Sequence, residues 1–139
     1  MSFRISPWIL TCAAFALLLG CPSTDDDDDT VEECPAAETP QVDIIYPSDT
    51  AQFQPGETIN FTASVSDDVD APGDLDLKWI DNLYSVETEF TAPSPGSDGV
   101  ITFTKNDFEV GIHIVTLEAT DTDGCMGYDD VPFEILDPT

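Results

Sequence analysis

Two short stretches gather hard oxygen ligands, Asp67, Asp68, Asp70, Asp74 and Asp76 in one, Asp121 and Asp123 in the other. Carboxylates supplied by separate loops suit Ca²⁺, which fills a shell of about six to eight oxygens at ~2.3–2.6 Å. If the fold joins the stretches, Asp67, Asp68, Asp70, Asp121 and Asp123 are candidate Ca²⁺ ligands. The alternative is that they are solvated turn residues, because an aspartate readily accepts a hydrogen bond from backbone two positions on. Neither stretch matches an EF-hand loop, and in Asp121-Thr122-Asp123-Gly124 an extra Asp interrupts the Asp-Thr-Gly of aspartic proteases. The single histidine, His113, cannot build a metal cluster alone, nor a catalytic triad without a placed nucleophile, so a structural role is expected of it. No glycine-rich phosphate loop or nucleophile motif is present, and no catalytic residue is assigned. The expectation is a chain that is not an enzyme.

Charge narrows the partners. The 139 residues carry 29 Asp and Glu against three Lys and Arg, a formal net charge of −26. Binding to nucleic acid rests on clustered cations that displace counterions from phosphates, so nucleic acid is excluded as a partner. Anionic lipid surfaces are repelled for the same reason.

The elements that would hold these residues are strands. From Gln41 onward apolar residues recur at every second position, the mark of half-buried β-strands. Ile59, Phe61, Ala63 and Val65 alternate with polar residues, as do Leu75, Leu77 and Trp79, then Val115, Leu117 and Ala119, then Val131, Phe133 and Ile135. Weaker runs lie at 42–46, 84–90 and 100–104, and 11 Pro and eight Gly punctuate the chain. Seven short strands with turns about every ten residues predict an all-β, antiparallel β-sandwich. In such a sandwich the chain start, the 67–74 loop and the 121–126 loop share one end, which is what would bring the acids together. Trp79 is expected to fill the space between the sheets.

The order Ile44 to Pro47, Pro55-Gly56-Glu57, Ser66-Asp67-Asp68, Trp79 and Gly111-Ile112-His113-Ile114-Val115-Thr116-Leu117-Glu118-Ala119-Thr120-Asp121-Thr122-Asp123-Gly124 resembles the PKD-like and immunoglobulin-like domains of bacterial surface proteins. Two positions depart from the PKD pattern. Trp79-Ile80-Asp81-Asn82-Leu83 stands where that family has Trp-Asp-Phe-Gly-Asp-Gly, and His113 stands at an aromatic position. The broader immunoglobulin-like class accommodates both.

The first twenty residues have one early cation, Arg4, and an apolar stretch from Trp8 to Leu19, the layout of an export signal. That stretch is too short for a bilayer core of ~30 Å, which needs ~20 residues. Leu18-Leu19-Gly20-Cys21 resembles the lipobox of bacterial lipoproteins, which implies cleavage before Cys21 and a diacylglycerol on its thiol. Pro22, where an Asp would signal inner-membrane retention in enteric bacteria, implies the outer membrane by the same resemblance. An ordinary secretory signal, with Cys21 left for a disulfide, is the competing reading. With residues 1–20 removed, Lys78 and Lys105 are the only cations against 29 acids. Loss of Cys12 with the signal and acylation of Cys21 would leave Cys34 and Cys125, and an oxidising compartment would then pair them.

The organisation expected is therefore a lipoprotein signal peptide at 1–20, a lipidated Cys21 and acidic tether at 21–40, and the sandwich at 41–139. Five consecutive aspartates, Asp25 to Asp29, repel one another and extend the tether. The function expected is a non-enzymatic, lipid-anchored surface module for adhesion or assembly with an envelope or extracellular protein. A Ca²⁺-binding envelope lipoprotein is the second reading, with Ca²⁺ the only cofactor considered.

Overall fold

A computed structural model describes residues 34–35 and 38–138. The export signal, Cys21 and the acidic stretch through Glu33 lie outside the described residues. Eight strands follow one another: β1 (Gln41–Tyr46), β2 (Ala51–Phe53), β3 (Ile59–Ser66), β4 (Asp76–Leu83), β5 (Val86–Phe90), β6 (Val100–Lys105), β7 (Gly111–Thr120) and β8 (Met126–Ile135). They form a three-stranded sheet in the order β1-β3-β6 and a five-stranded sheet in the order β2-β8-β7-β4-β5. Among the described residues there is no helix, and the architecture is an immunoglobulin-like β-sandwich.

The period-two pattern explains which face each strand turns inward. Ile59, Phe61, Ala63 and Val65 of β3 meet Trp79 of β4, Val115 and Leu117 of β7, and Val131, Phe133 and Ile135 of β8 in one buried core. Phe61 sits at its centre, stacked on Phe103 at 4.9 Å and edge-on to Trp79 at 6.0 Å and Phe133 at 6.2 Å. Rings at these separations gain roughly 0.5–1.5 kcal/mol per pair beyond area burial.

The expectation of seven strands omits β2. Its three residues offer one buried side chain, Phe53, too little for a periodic signal. It pairs in parallel with β8, Ala51 opposite Phe133, so no local hairpin announces it. Through it the chain switches from the first sheet to the second. The third expected strand runs on past Trp79 to Leu83, because a hairpin with β5 gives Ile80–Leu83 partners of their own.

The register fixes the two ends of the sandwich. Asp76 of β4 lies opposite Thr120 of β7, and Thr120 opposite Met126 of β8; at the far side Leu83 lies opposite His113, and Gly111 opposite Ile135. The first end receives the chain. There Gly127 admits the backbone just before β1, since a Cβ on it would meet the Pro40 carbonyl oxygen at 1.8 Å.

Candidate functional site

At the end where the chain enters, Cys34 and Cys125 are joined as a disulfide with their Cα atoms 5.6 Å apart. The 67–74 and 121–125 loops meet beside it, and the contact is specific: the backbone N–H and hydroxyl of Thr122 both donate to the Asp70 carboxylate, at 3.0 and 2.9 Å. Asp67 Oδ1 accepts the N–H groups of Val69 and Asp70, at 2.9 and 2.8 Å. Asp121 Oδ1 accepts those of Asp123 and Cys125, also at 2.9 and 2.8 Å. Three of the five aspartates weighed as Ca²⁺ ligands thus cap turns or latch one loop to the other. Asp68 and Asp123 share this end, yet among the described residues no three His, Cys, Asp or Glu side chains are grouped so as to hold an ion. The topology brings the loops together; Asp67 and Asp121 each give one carboxylate oxygen to backbone donors, Asp70 accepts from Thr122, and Asp67 Oδ2 is buried with no hydrogen-bond partner among the described residues.

The opposite end is built differently. Tyr84 and Ser85 form the two-residue turn between β4 and β5 with φ of 53° and 65°. That left-handed pair is the geometry hairpins favour, usually with Asn-Gly. Asn82 Oδ1 secures it by accepting the Ser85 N–H at 3.1 Å. The Tyr84 hydroxyl then donates to the Val110 carbonyl at 3.3 Å, tying the turn to the β6–β7 loop. Gly111 makes room for this, because a Cβ there would lie 2.7 Å from that hydroxyl.

Between the β4–β5 hairpin and the β6–β7 loop runs a groove of about 410 Å³. Phe90 and Phe108 supply its aromatic wall, with the Lys105 ammonium 5.2 and 5.0 Å from their ring centres and paired with Asp107. His113, only 1% exposed, stands behind the groove. Its Nδ1 lies 2.8 and 3.0 Å from the two carboxylate oxygens of Asp81, and its Nε2 lies 2.8 Å from the Glu109 carbonyl. Ionised carboxylate and carbonyl only accept, so full satisfaction of the ring requires a proton on each nitrogen. Burial, the largest single influence, lowers the His113 pKa, but the Asp81 carboxylate and the Glu109 carbonyl together outweigh it and hold the group above the ordinary imidazole value. The ring also stacks on Phe133 at 5.4 Å. With its two ring nitrogens engaged by Asp81 and the Glu109 carbonyl, His113 braces β7, β4 and the β6–β7 loop.

Sequence reasoning placed His113 in a structural role but missed its partner. The signal was available: Asp81 follows Trp79 by two, so it too points inward, and an inward carboxylate requires a donor. Trp79 itself lies in the core, 3% exposed, with its indole N–H unpartnered among the described residues.

Residues 40–104 match the family described as bacterial Ig domain. No curated protein sequence matches the chain. Among solved structures, the fibronectin(III)-like modules of Clostridium thermocellum CbhA share 19% identity over 71% of this chain and 99% of theirs, with a TM-score of 0.52. An engineered protein shares 17% identity over 72% of this chain and 21% of its own, at a TM-score of 0.49. The PKD domain of an M14-like peptidase from a Thermoplasmatales archaeon shares 14% identity over 71% of this chain and 94% of its own, at 0.47.

Proposed function

We propose that this chain is a non-enzymatic, lipid-anchored module of the bacterial cell envelope that presents an immunoglobulin-like sandwich to a protein partner. The observation that carries the reading is the polarity of the domain. The chain enters beside the Cys34–Cys125 disulfide, whereas the groove and the exposed Tyr84 and Val86, 75% and 65% accessible, occupy the opposite end. A domain held by its N-terminal side would turn that end outward. The lipobox-like Leu18-Leu19-Gly20-Cys21 supplies the anchor, and several acyl chains hold stably where one does not. The acidic stretch after Cys21 would act as a stalk, its 12 residues from Pro22 to Glu33 reaching at most ~40 Å. Pro22 favours the outer membrane. The match to bacterial Ig domains over residues 40–104 agrees with a surface-module role.

A photo-crosslinking residue at Val86 on intact cells, compared with one at Asp123, tests the orientation. The expected result is a discrete protein adduct from position 86 and none from position 123. Adducts only from position 123, or none from either, would overturn the reading.

A further inference from the structure

The five-stranded sheet ends in β5, whose outer edge has no strand beside it among the described residues. Edge strands are commonly blunted by lysine, proline or a bulge. Val86-Glu87-Thr88-Glu89-Phe90 contains neither Lys nor Pro, its register against β4 is unbroken from Leu83–Val86 to Trp79–Phe90, and its first four side chains are exposed. The direction of its free hydrogen-bonding groups follows from the hairpin. A two-residue turn makes Leu83 and Val86 a hydrogen-bonded pair, and pairs alternate along antiparallel strands, so Thr88 and Phe90 also direct their backbone groups at β4. The N–H and C=O groups of Glu87 and Glu89 therefore face the open side.

The side chains alternate in step. Val86, Thr88 and Phe90 lie on the groove side, where Phe108 faces them, and Glu87 and Glu89 lie on the outer face. We propose that β5 receives an extended segment of a partner protein by strand addition, and that the segment alternates apolar and basic residues. Main-chain bonds to Glu87 and Glu89 would hold it, as in other strand-addition complexes. Its apolar residues would fall opposite Val86, Thr88 and Phe90 over the groove, and its basic ones opposite the two glutamates, where cross-strand opposite charges attract. A second copy of this chain does not fit, because Arg4, Lys78 and Lys105 are its only Lys and Arg residues and no segment alternates them. The net charge of −26 further separates copies. This proposal deepens the surface-module reading by naming the partner's chemistry, and it rests on that reading for its setting.

The test uses the mature chain and the peptide Lys-Val-Lys-Val-Lys-Val-Lys, with Lys-Lys-Lys-Lys-Val-Val-Val as a control of equal charge. Strand addition predicts binding about tenfold tighter for the alternating peptide, and slowed amide exchange at Glu87 and Glu89 when it is bound. Glu87→Pro removes an outward N–H without touching the β4 ladder, and should bring the two peptides to equal affinity. Should that variant fail to fold, the double change Glu87→Lys and Glu89→Lys decides, since strand addition predicts that it turns the preference to Glu-Val-Glu-Val-Glu-Val-Glu. Equal affinity for both lysine peptides in the unaltered chain, or unchanged exchange at Glu87 and Glu89 in the bound state, would overturn the proposal. A chain that is acylated and crosslinked through Val86 but fails the peptide test loses this proposal alone; one that binds the peptide but lacks acylation loses only the anchor.

Discussion

Reducing the Cys34–Cys125 bond opens a loop whose ends lie 91 positions apart, and nearly the whole sandwich is inside it. In the chain-entropy description a closure of that length restricts the unfolded chain by roughly 15 cal/mol/K, about 4–5 kcal/mol at 25 °C. A domain of about 100 residues shifts by ~4–8 °C per kcal/mol, so the melting temperature should fall by roughly 20–35 °C. The folded state should change little, because the β7–β8 turn is held separately by Asp121 and the core lies elsewhere. The assay is urea unfolding of the mature chain followed by the fluorescence of Trp79, with and without a phosphine reductant, alongside the variant Cys34→Ala, Cys125→Ala. Reduction should also steepen the transition, since the opened unfolded chain is less compact and exposes more surface. The reasoning fails if the reduced chain loses less than about 1 kcal/mol, or if both thiols titrate before any reductant is added.

Three further outcomes follow from other parts of the fold. Because the His113 pKa is raised in the folded state, its contribution is complete below its unfolded value of about 6.5 and is lost as pH climbs through the folded value. Melting temperatures should therefore decline as pH rises above about 6.5 in the native chain and stay flatter in Asp81→Asn; parallel profiles would contradict a stabilising His113–Asp81 contact. Phe61→Ala should cost about 3–5 kcal/mol in urea unfolding, being 1% exposed and in ring contact on several sides, and more than Phe103→Ala, which is only partly buried. Millimolar Ca²⁺ should raise the melting temperature no more than Na⁺ of equal ionic strength, since Asp67, Asp70 and Asp121 already accept backbone hydrogen bonds. A larger rise that Asp121→Asn, Asp123→Asn removes would restore an ion to this end.

Alternation made most of the sandwich legible, because the strands of β3, β7 and β8 expose one face to water and carry their side-chain period openly in sequence. What stayed hidden depends on partners far along the chain. β2 acquires strand geometry only from β8, some 80 positions later, and its three residues have no pattern of their own. The meeting of the two acidic loops was legible from topology. Whether an aspartate faces an ion or a backbone N–H was not, because both demand the same residue in the same loop. His113 and Asp81 are separated by 32 positions, and inward parity on two strands was the one clue joining them.

Mass spectrometry of the N-terminal peptide from envelope-isolated chain tests directly whether lipid on Cys21 ties the sandwich to the envelope. The expected peptide begins at Cys21 with a diacylglycerol on its sulfur, and that product is lost in Cys21→Ala. An N-terminal peptide that retains residues 1–20, or a Cys21 bearing no acyl group, would contradict the lipid anchor.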